Sequence, residues 1–289
     1  FHVWVNGSEI LKYHRPIYKD LFAKGKRKTE NPMSKVIPEE TPQRTGNKLQ
    51  SILQIAYEAQ SLAKDIVDRV SARLQAESLA LRWRNRVLVG LALKQYRAFE
   101  CIVEDAKRER LEGMHHLKTL VETFIYLKWV GNDSGDTRAK LVYAEGLCKK
   151  IAFYEKNPGY AEQGLIDVWK ASLTDIIQGL EHEWKQFQGK SLEVLAKEVG
   201  QALVDWYNRV YRMACEPAHI TDLLEHMPET SGKISLDLPH TSRLQAYIAL
   251  DYGLHIIFEL MKDASKEYKL GLEEKIGKLE AQLTALRSQ

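Results

Sequence analysis

From Leu49 onward, apolar side chains return at every third or fourth position: Leu49, Ile52, Leu53, Ala56, Ala63, Ile66, Val67, Val70 and Leu74, with charges between them. That period places them on one face and predicts a long amphipathic helix from Asn47, with Thr45 or Asn47 as its N-cap. The run Arg82-Trp83-Arg84-Asn85-Arg86 interrupts the pattern, and Val87 to Lys107 is expected to form the next helix, burying Leu88, Leu91, Phe99 and Ile102. A third helix is expected from Arg110 to Val130. Its apolar face (Leu117, Leu120, Val121, Phe124, Ile125, Leu127, Trp129) is wide enough for a central position. The loop Gly131 to Asp136 follows, then a helix from Thr137 to Glu155, stopped by Asn157-Pro158-Gly159.

Further helices are predicted at Ala161 to Trp184 and at Ser191 to Arg212, the latter capped by Ser191 with Glu193 in its first turn. A short helix (Pro217 to Met227), a loop (Ser231 to His240) with one short strand at Ile234 to Leu238, and a helix from Ser242 to Leu270 come next. Leu272, Ile276, Leu279, Leu283 and Leu286 then alternate four and three residues apart for about two heptads. Ser265 and Lys269 break that spacing upstream, so terminal packing is expected rather than a coiled coil, with 270–289 free to protrude. The expected fold is all-α, a multi-helix bundle of long antiparallel helices forming a single domain over 47–289. Residues 1–46 are expected to form an irregular basic N-terminal arm, punctuated by Pro32, Pro38 and Pro42, with too little apolar material for a core.

Charge sharpens this division. Residues 1–48 hold ten Lys/Arg against five Asp/Glu, a balance of +5; with +3 overall, the rest of the chain sums to −2. The body therefore carries no global basic signature for nucleic acid. Eight prolines and seventeen glycines in 289 residues favour long helices. Cys101, Cys148 and Cys215 lack metal-ribbon spacing and suit a reducing cytoplasm. The most apolar window, Leu117 to Val130, is broken by Lys118, Glu122 and Lys128, so no membrane span is expected. The chain opens on Phe1, and Met33 has the context of a natural start.

Chemistry concentrates between Trp206 and Met227, where Arg209, Arg212, Glu216 and His219 crowd around Pro217. Proline suits a first helical position, so one helix should end near Arg212 and another start at Pro217. His219 would then lie in a first turn whose free N–H groups attract anions. Arg212 supplies a planar fork for phosphate, and His219 exchanges protons near neutrality. A second pattern, Glu112-x-x-His115 with Glu216-x-x-His219, has the spacing of di-metal centres in ferritin-like bundles, with Glu100, Glu104 or Glu122 to complete it. Pro217 interrupts the second half of that motif. Glu122, on the widest apolar face, needs a buried partner; Arg209, Arg212 and His219 are the candidates, and an ion pair of purely structural role fits equally well.

Two resemblances follow from these residues. Arg212-x6-His219 matches the Arg-x4-6-His pattern of the HEPN superfamily, small helical proteins that include metal-independent ribonucleases. Arg110-x4-His115 and Arg108-x6-His115 share it, so spacing alone does not choose among them. Leu111-x-Gly113 with Lys118-x-x-x-Glu122, and Tyr211-Arg212-x-x-Cys215-x-x-x-His219-x-Thr221, resemble two blocks of a mostly bacterial family of unknown function numbered 5677. Lys118 replaces the usual arginine there, and Cys215 the usual serine. The resemblance covers roughly 50–265 and implies a HEPN-like homodimeric ribonuclease, of the kind found in phage defence and toxin–antitoxin settings, that needs no cofactor. Arg212, His219 and Glu122 would be catalytic; Arg209, Tyr211, Glu216, Lys118 and Thr221 would support them. The alternatives are a non-catalytic helical module that senses nucleotide or RNA or docks a protein partner, and third a di-metal protein using Glu112, His115, Glu216 and His219.

Overall fold

The first helix among the described residues begins at Pro42, five residues before the periodicity announces it, because proline costs nothing at a first helical position where no N–H is needed. Thr45 and Asn47 therefore lie inside it rather than capping it. The computed structural model describes residues 42–76, 82–110, 112–157, 159–160, 162–215, 229–230, 233–234 and 239–288, all within one compact unit.

The chain is all-α. In order, the elements are α1 (Pro42–Ala76), α2 (Trp83–Lys107), α3 (Gly113–Gly131), α4 (Thr137–Lys156), α5 (Gln163–Ile177), α6 (Glu181–Phe187), α7 (Leu192–Val199) and α8 (Gln201–Trp206). Then come a π-helical turn (Tyr207–Tyr211) and α9 (Arg212–Cys215). Two-residue strands β1 (Glu229–Thr230) and β2 (Lys233–Ile234) pair antiparallel before α10 (Pro239–Glu267) and α11 (Glu273–Arg287). Of the strand expected at Ile234 to Leu238, only Ile234 is described, as the end of β2. The short helix expected at Pro217 to Met227 lies outside the described residues.

Four helices make the core. α1, α2, α3 and α10 pack in a ring, and α2 also meets α10 directly. The predicted stripes point inward: Leu49, Ile52, Phe99, Ile102, Leu117, Leu120 and Ile125 are essentially solvent-free, and α10 answers with Leu250, Leu254 and Phe258. Burying each such side chain contributes roughly 1.5–3 kcal/mol. At Gly253 on α10 a Cβ would stand 3.3 Å from the Phe99 ring and 3.4 Å from Ile102, so glycine sets how closely α2 and α10 approach. The closing helix does not protrude. Leu272, Ile276, Leu279, Leu283 and Leu286 are all buried, packed against α1 and α10, and Arg287 clasps Asp251 of α10.

Two predicted long helices are broken. Residues 178–180 divide Ala161 to Trp184 into α5 and α6. Gly200, at φ +147°, divides Ser191 to Arg212 into α7 and α8, a backbone state that side-chain-bearing residues rarely adopt. Ser191 does cap α7, accepting from the Val194 N–H at 3.3 Å. The basic run at Arg82 is not an interruption but the start of α2. Arg84 there donates to the carbonyls of Asp133 and Gly131 and pairs with Glu267, tying α2 to the loop after α3 and to α10.

Candidate functional site

The break at Gly200 re-aims the chain so that Trp206 to Cys215 runs across α3. Within it the Arg212 N–H donates to the Tyr207 carbonyl, five residues back instead of four. Such π turns insert a residue into the helical register and commonly mark functional positions. Trp206 anchors the segment, its ring 6.0 Å from Phe124, 5.9 Å from Tyr252 and 6.4 Å from His255. Val210 and Ala214 fill the interface below, leaving Asn208, Arg209 and Arg212 exposed. Tyr207 and Tyr211 stack on each other, centroids 5.2 Å apart and 19° from parallel.

Tyr211 faces α3. Burial pushes its hydroxyl pKa well above the usual tyrosine range, with Cys215, Glu122 and Tyr207 adding to the effect. Tyr126, one turn beyond Glu122 on α3, is raised in the same way, first by burial and then by Glu145 of α4, with Glu122 and Tyr211 contributing. Its hydroxyl donates to Glu145 at 3.3 Å. Both tyrosines are therefore held neutral, and a tyrosine held neutral remains a hydrogen-bond donor.

Among the described residues Glu122 forms no ion pair with Arg209 or Arg212, and its charge acts instead on the two tyrosines. Arg212 is 62% exposed on its side chain; among the described residues its nearest carboxylate, Glu193, is 4.0 Å away, beyond a hydrogen bond. The guanidinium lies 5.5 Å from the Tyr207 ring centroid, a cation–π arrangement. Arg209 is exposed without an ion pair among the described residues, and Lys118 is half-buried on α3. Glu216, His219 and Thr221, with Pro217, lie outside the described residues.

Glu112 and His115 are both exposed where α3 begins, and among the described residues no three His, Cys, Asp or Glu side chains cluster as a metal site would require. The neighbouring His116 instead contacts Asp105 at 3.5 Å, so neither member of the His115-His116 pair is a core imidazole. Burial, with nearby carboxylates, raises the thiols of Cys101 and Cys148, the reverse of what activates a nucleophile.

The residue pattern could have announced part of this. Tyr126 lies four positions after Glu122, and Tyr207 four before Tyr211, spacings that share a helix face. Glu145 and Glu193 carried no such signal, since only the packing of α4 and α7 brings them in.

The arrangement is that of an all-α protein with an aromatic, arginine-bearing surface site built across a π turn. The family model described as Family of unknown function (DUF5677) matches residues 85–234, more than half of the chain. The chain belongs to that family, and the matched span runs from α2 to β2, taking in both motif blocks. No curated protein and no solved structure shows a significant match. Among the described residues, no helix is long and apolar enough to cross a membrane.

Proposed function

We propose that this chain is a HEPN-like, metal-independent endoribonuclease, a defence or toxin type of effector working in the cytoplasm as a homodimer. The observation that carries the reading is the exposed Arg212 guanidinium, held over Tyr207 next to the neutral Tyr211 and hydrogen-bonded to no carboxylate among the described residues. A planar fork on a solvent-facing π turn suits a phosphodiester, and stacked tyrosines suit unstacked bases. His219, seven positions on, would take the proton of the ribose 2′-OH. The 2′-oxygen would then attack phosphorus as the P–O5′ bond breaks, and the 5′-oxygen would leave with a proton taken from water, giving a 2′,3′-cyclic phosphate end. Arg212 would stabilise the charge gathering on the phosphoryl oxygens. Glu122 would act through Tyr211 rather than on the reacting atoms, and Arg209 would steer the backbone.

The test is cleavage of an RNA oligonucleotide in EDTA, with DNA of the same sequence as control. RNA cut and DNA intact, with loss of cutting in His219→Ala, is the expected result. DNA cut equally well would remove the 2′-OH from the mechanism. The second reading is a non-catalytic RNA- or nucleotide-sensing module, favoured by the stacked Tyr207–Tyr211 pair, which suits binding without chemistry. It predicts saturable RNA binding with no cleavage under any condition.

A further inference from the structure

A cleft of about 480 Å³ opens between α1, α2, α3 and α10, and none of the residues around Tyr211 lines it. Its walls are aliphatic: Ile66 and Val70 on α1, Leu88 on α2, Leu127 on α3 and Met261 on α10. The space exists because Ala63, Ala92 and Ala264, which line three of the four helices, are too small to fill it. Small-molecule sites occupy roughly 300–1,000 Å³, with apolar walls and a few polar groups that fix orientation.

The polar groups present decide the chemistry of the occupant. Lys128 is paired with Asp263 at 2.6 Å, and Arg84 with Glu267 at 2.7 Å. Arg84 also spends two further N–H groups on backbone carbonyls. Both of these half-buried cations are already answered, and Lys266, the third on the wall, is exposed to solvent, so an anionic head group held inside the cleft would have to break an existing pair. Tyr268 differs. Its ring is half-buried in the cleft wall, and its hydroxyl makes no hydrogen bond among the described residues. Burial, then the neighbouring Glu267, pushes its pKa up. A neutral hydroxyl is left over.

We infer that this cleft binds a neutral, mostly apolar small molecule whose single hydrogen-bonding head group is held by Tyr268. The experiment uses the full chain, with N-phenyl-1-naphthylamine as a neutral fluorescent probe and 1-decanol and decanoate as competitors. The wild type should bind the dye saturably at one site, and decanol should displace it at lower concentration than decanoate. Ala264→Phe, which fills the cleft, should weaken dye binding at least about tenfold, as a blocked apolar pocket must. Tyr268→Phe should weaken decanol about fivefold, the worth of one neutral hydrogen bond, while the far-UV spectrum stays helical. Absence of saturable dye binding by the wild type overturns the inference. So does stronger displacement by decanoate, or undiminished decanol binding by Tyr268→Phe. Should Ala264→Phe fail to fold, Tyr268→Phe decides, since it removes one hydroxyl and no packing.

Discussion

The charge of the Glu122 carboxylate on α3 adds to burial and Cys215 in keeping the Tyr211 hydroxyl on the π turn protonated. The two residues belong to sequence blocks far apart along the chain, brought together as Val210 and Ala214 pack the segment after Gly200 into the core. Arg212, the residue after Tyr211, is turned outward.

Alkaline titration reads this influence of Glu122 on Tyr211. Tyr126 and Tyr211 are held above the ordinary tyrosine pKa of about 10. Their folded pKa exceeds the unfolded one, so the stability they contribute is complete below about pH 10 and disappears as pH climbs through the folded values. The urea midpoint should therefore fall steeply on the alkaline side, with late tyrosinate absorbance accompanying unfolding. Tyr96, pushed up to about 12 by burial and Glu100, adds to the same trend. In Glu122→Gln, tyrosinate should appear at lower pH than in the wild type. Superimposable curves would mean that Glu122 does not act on Tyr211.

Another polar contact of α3, partly buried, should be costly to break. The Trp129 Nε1–H donates to Glu198 at 2.7 Å, and Lys190 pairs with the same carboxylate at 2.5 Å. Burial works to raise the Glu198 pKa, but the hydrogen bonds from Lys190 and Trp129 outweigh it and hold the carboxyl below its ordinary value. This stability is present above the unfolded carboxyl pKa of about 4.3 and disappears as pH falls through the folded value. Glu198→Ala leaves a buried indole N–H unpaired and should cost about 1–3 kcal/mol by urea melts at neutral pH.

Gly253 tests the packing of α2 on α10. Alanine gains about 1 kcal/mol of helix propensity over glycine, yet its Cβ would press on the Phe99 ring at 3.3 Å. Gly253→Ala should therefore be near neutral, whereas Gly253→Leu should destabilise by about 1–3 kcal/mol through overpacking. Equal stability of the two variants would show that the helices part without cost.

Arg212 separates stability from function. Being exposed and only loosely paired, it should tolerate Arg212→Ala within about 0.5 kcal/mol. Arg212→Lys should keep the fold equally well but lose the two-pronged phosphate geometry, so RNA affinity should drop in both variants.

How much was legible depended on the kind of signal. The core stripes of α1, α2, α3 and α10 were readable because a 3.6-residue period repeats over many turns. The breaks were not: Gly200 sits within an unbroken apolar period, and the π turn at Tyr207 leaves no trace in residue type. Glu122 stands out in the sequence as a carboxylate on an apolar face, and electrostatic reasoning names Arg209, Arg212 and His219 as its partners. The structure leaves it half-buried with neither arginine paired to it, its charge felt by Tyr126 and Tyr211, while His219 lies outside the described residues. The docking of α11 on α1 and α10 likewise needed the three-dimensional neighbours of Leu272 to Leu286.

The claim that the Arg212 site is a reaction centre is met most directly by single-turnover cleavage of an RNA oligonucleotide in EDTA, comparing wild type with Arg212→Ala. The account predicts cutting by the wild type and a loss of about a hundredfold or more in the variant, the usual worth of a group that stabilises developing charge. Equal rates from the two folded proteins would contradict it.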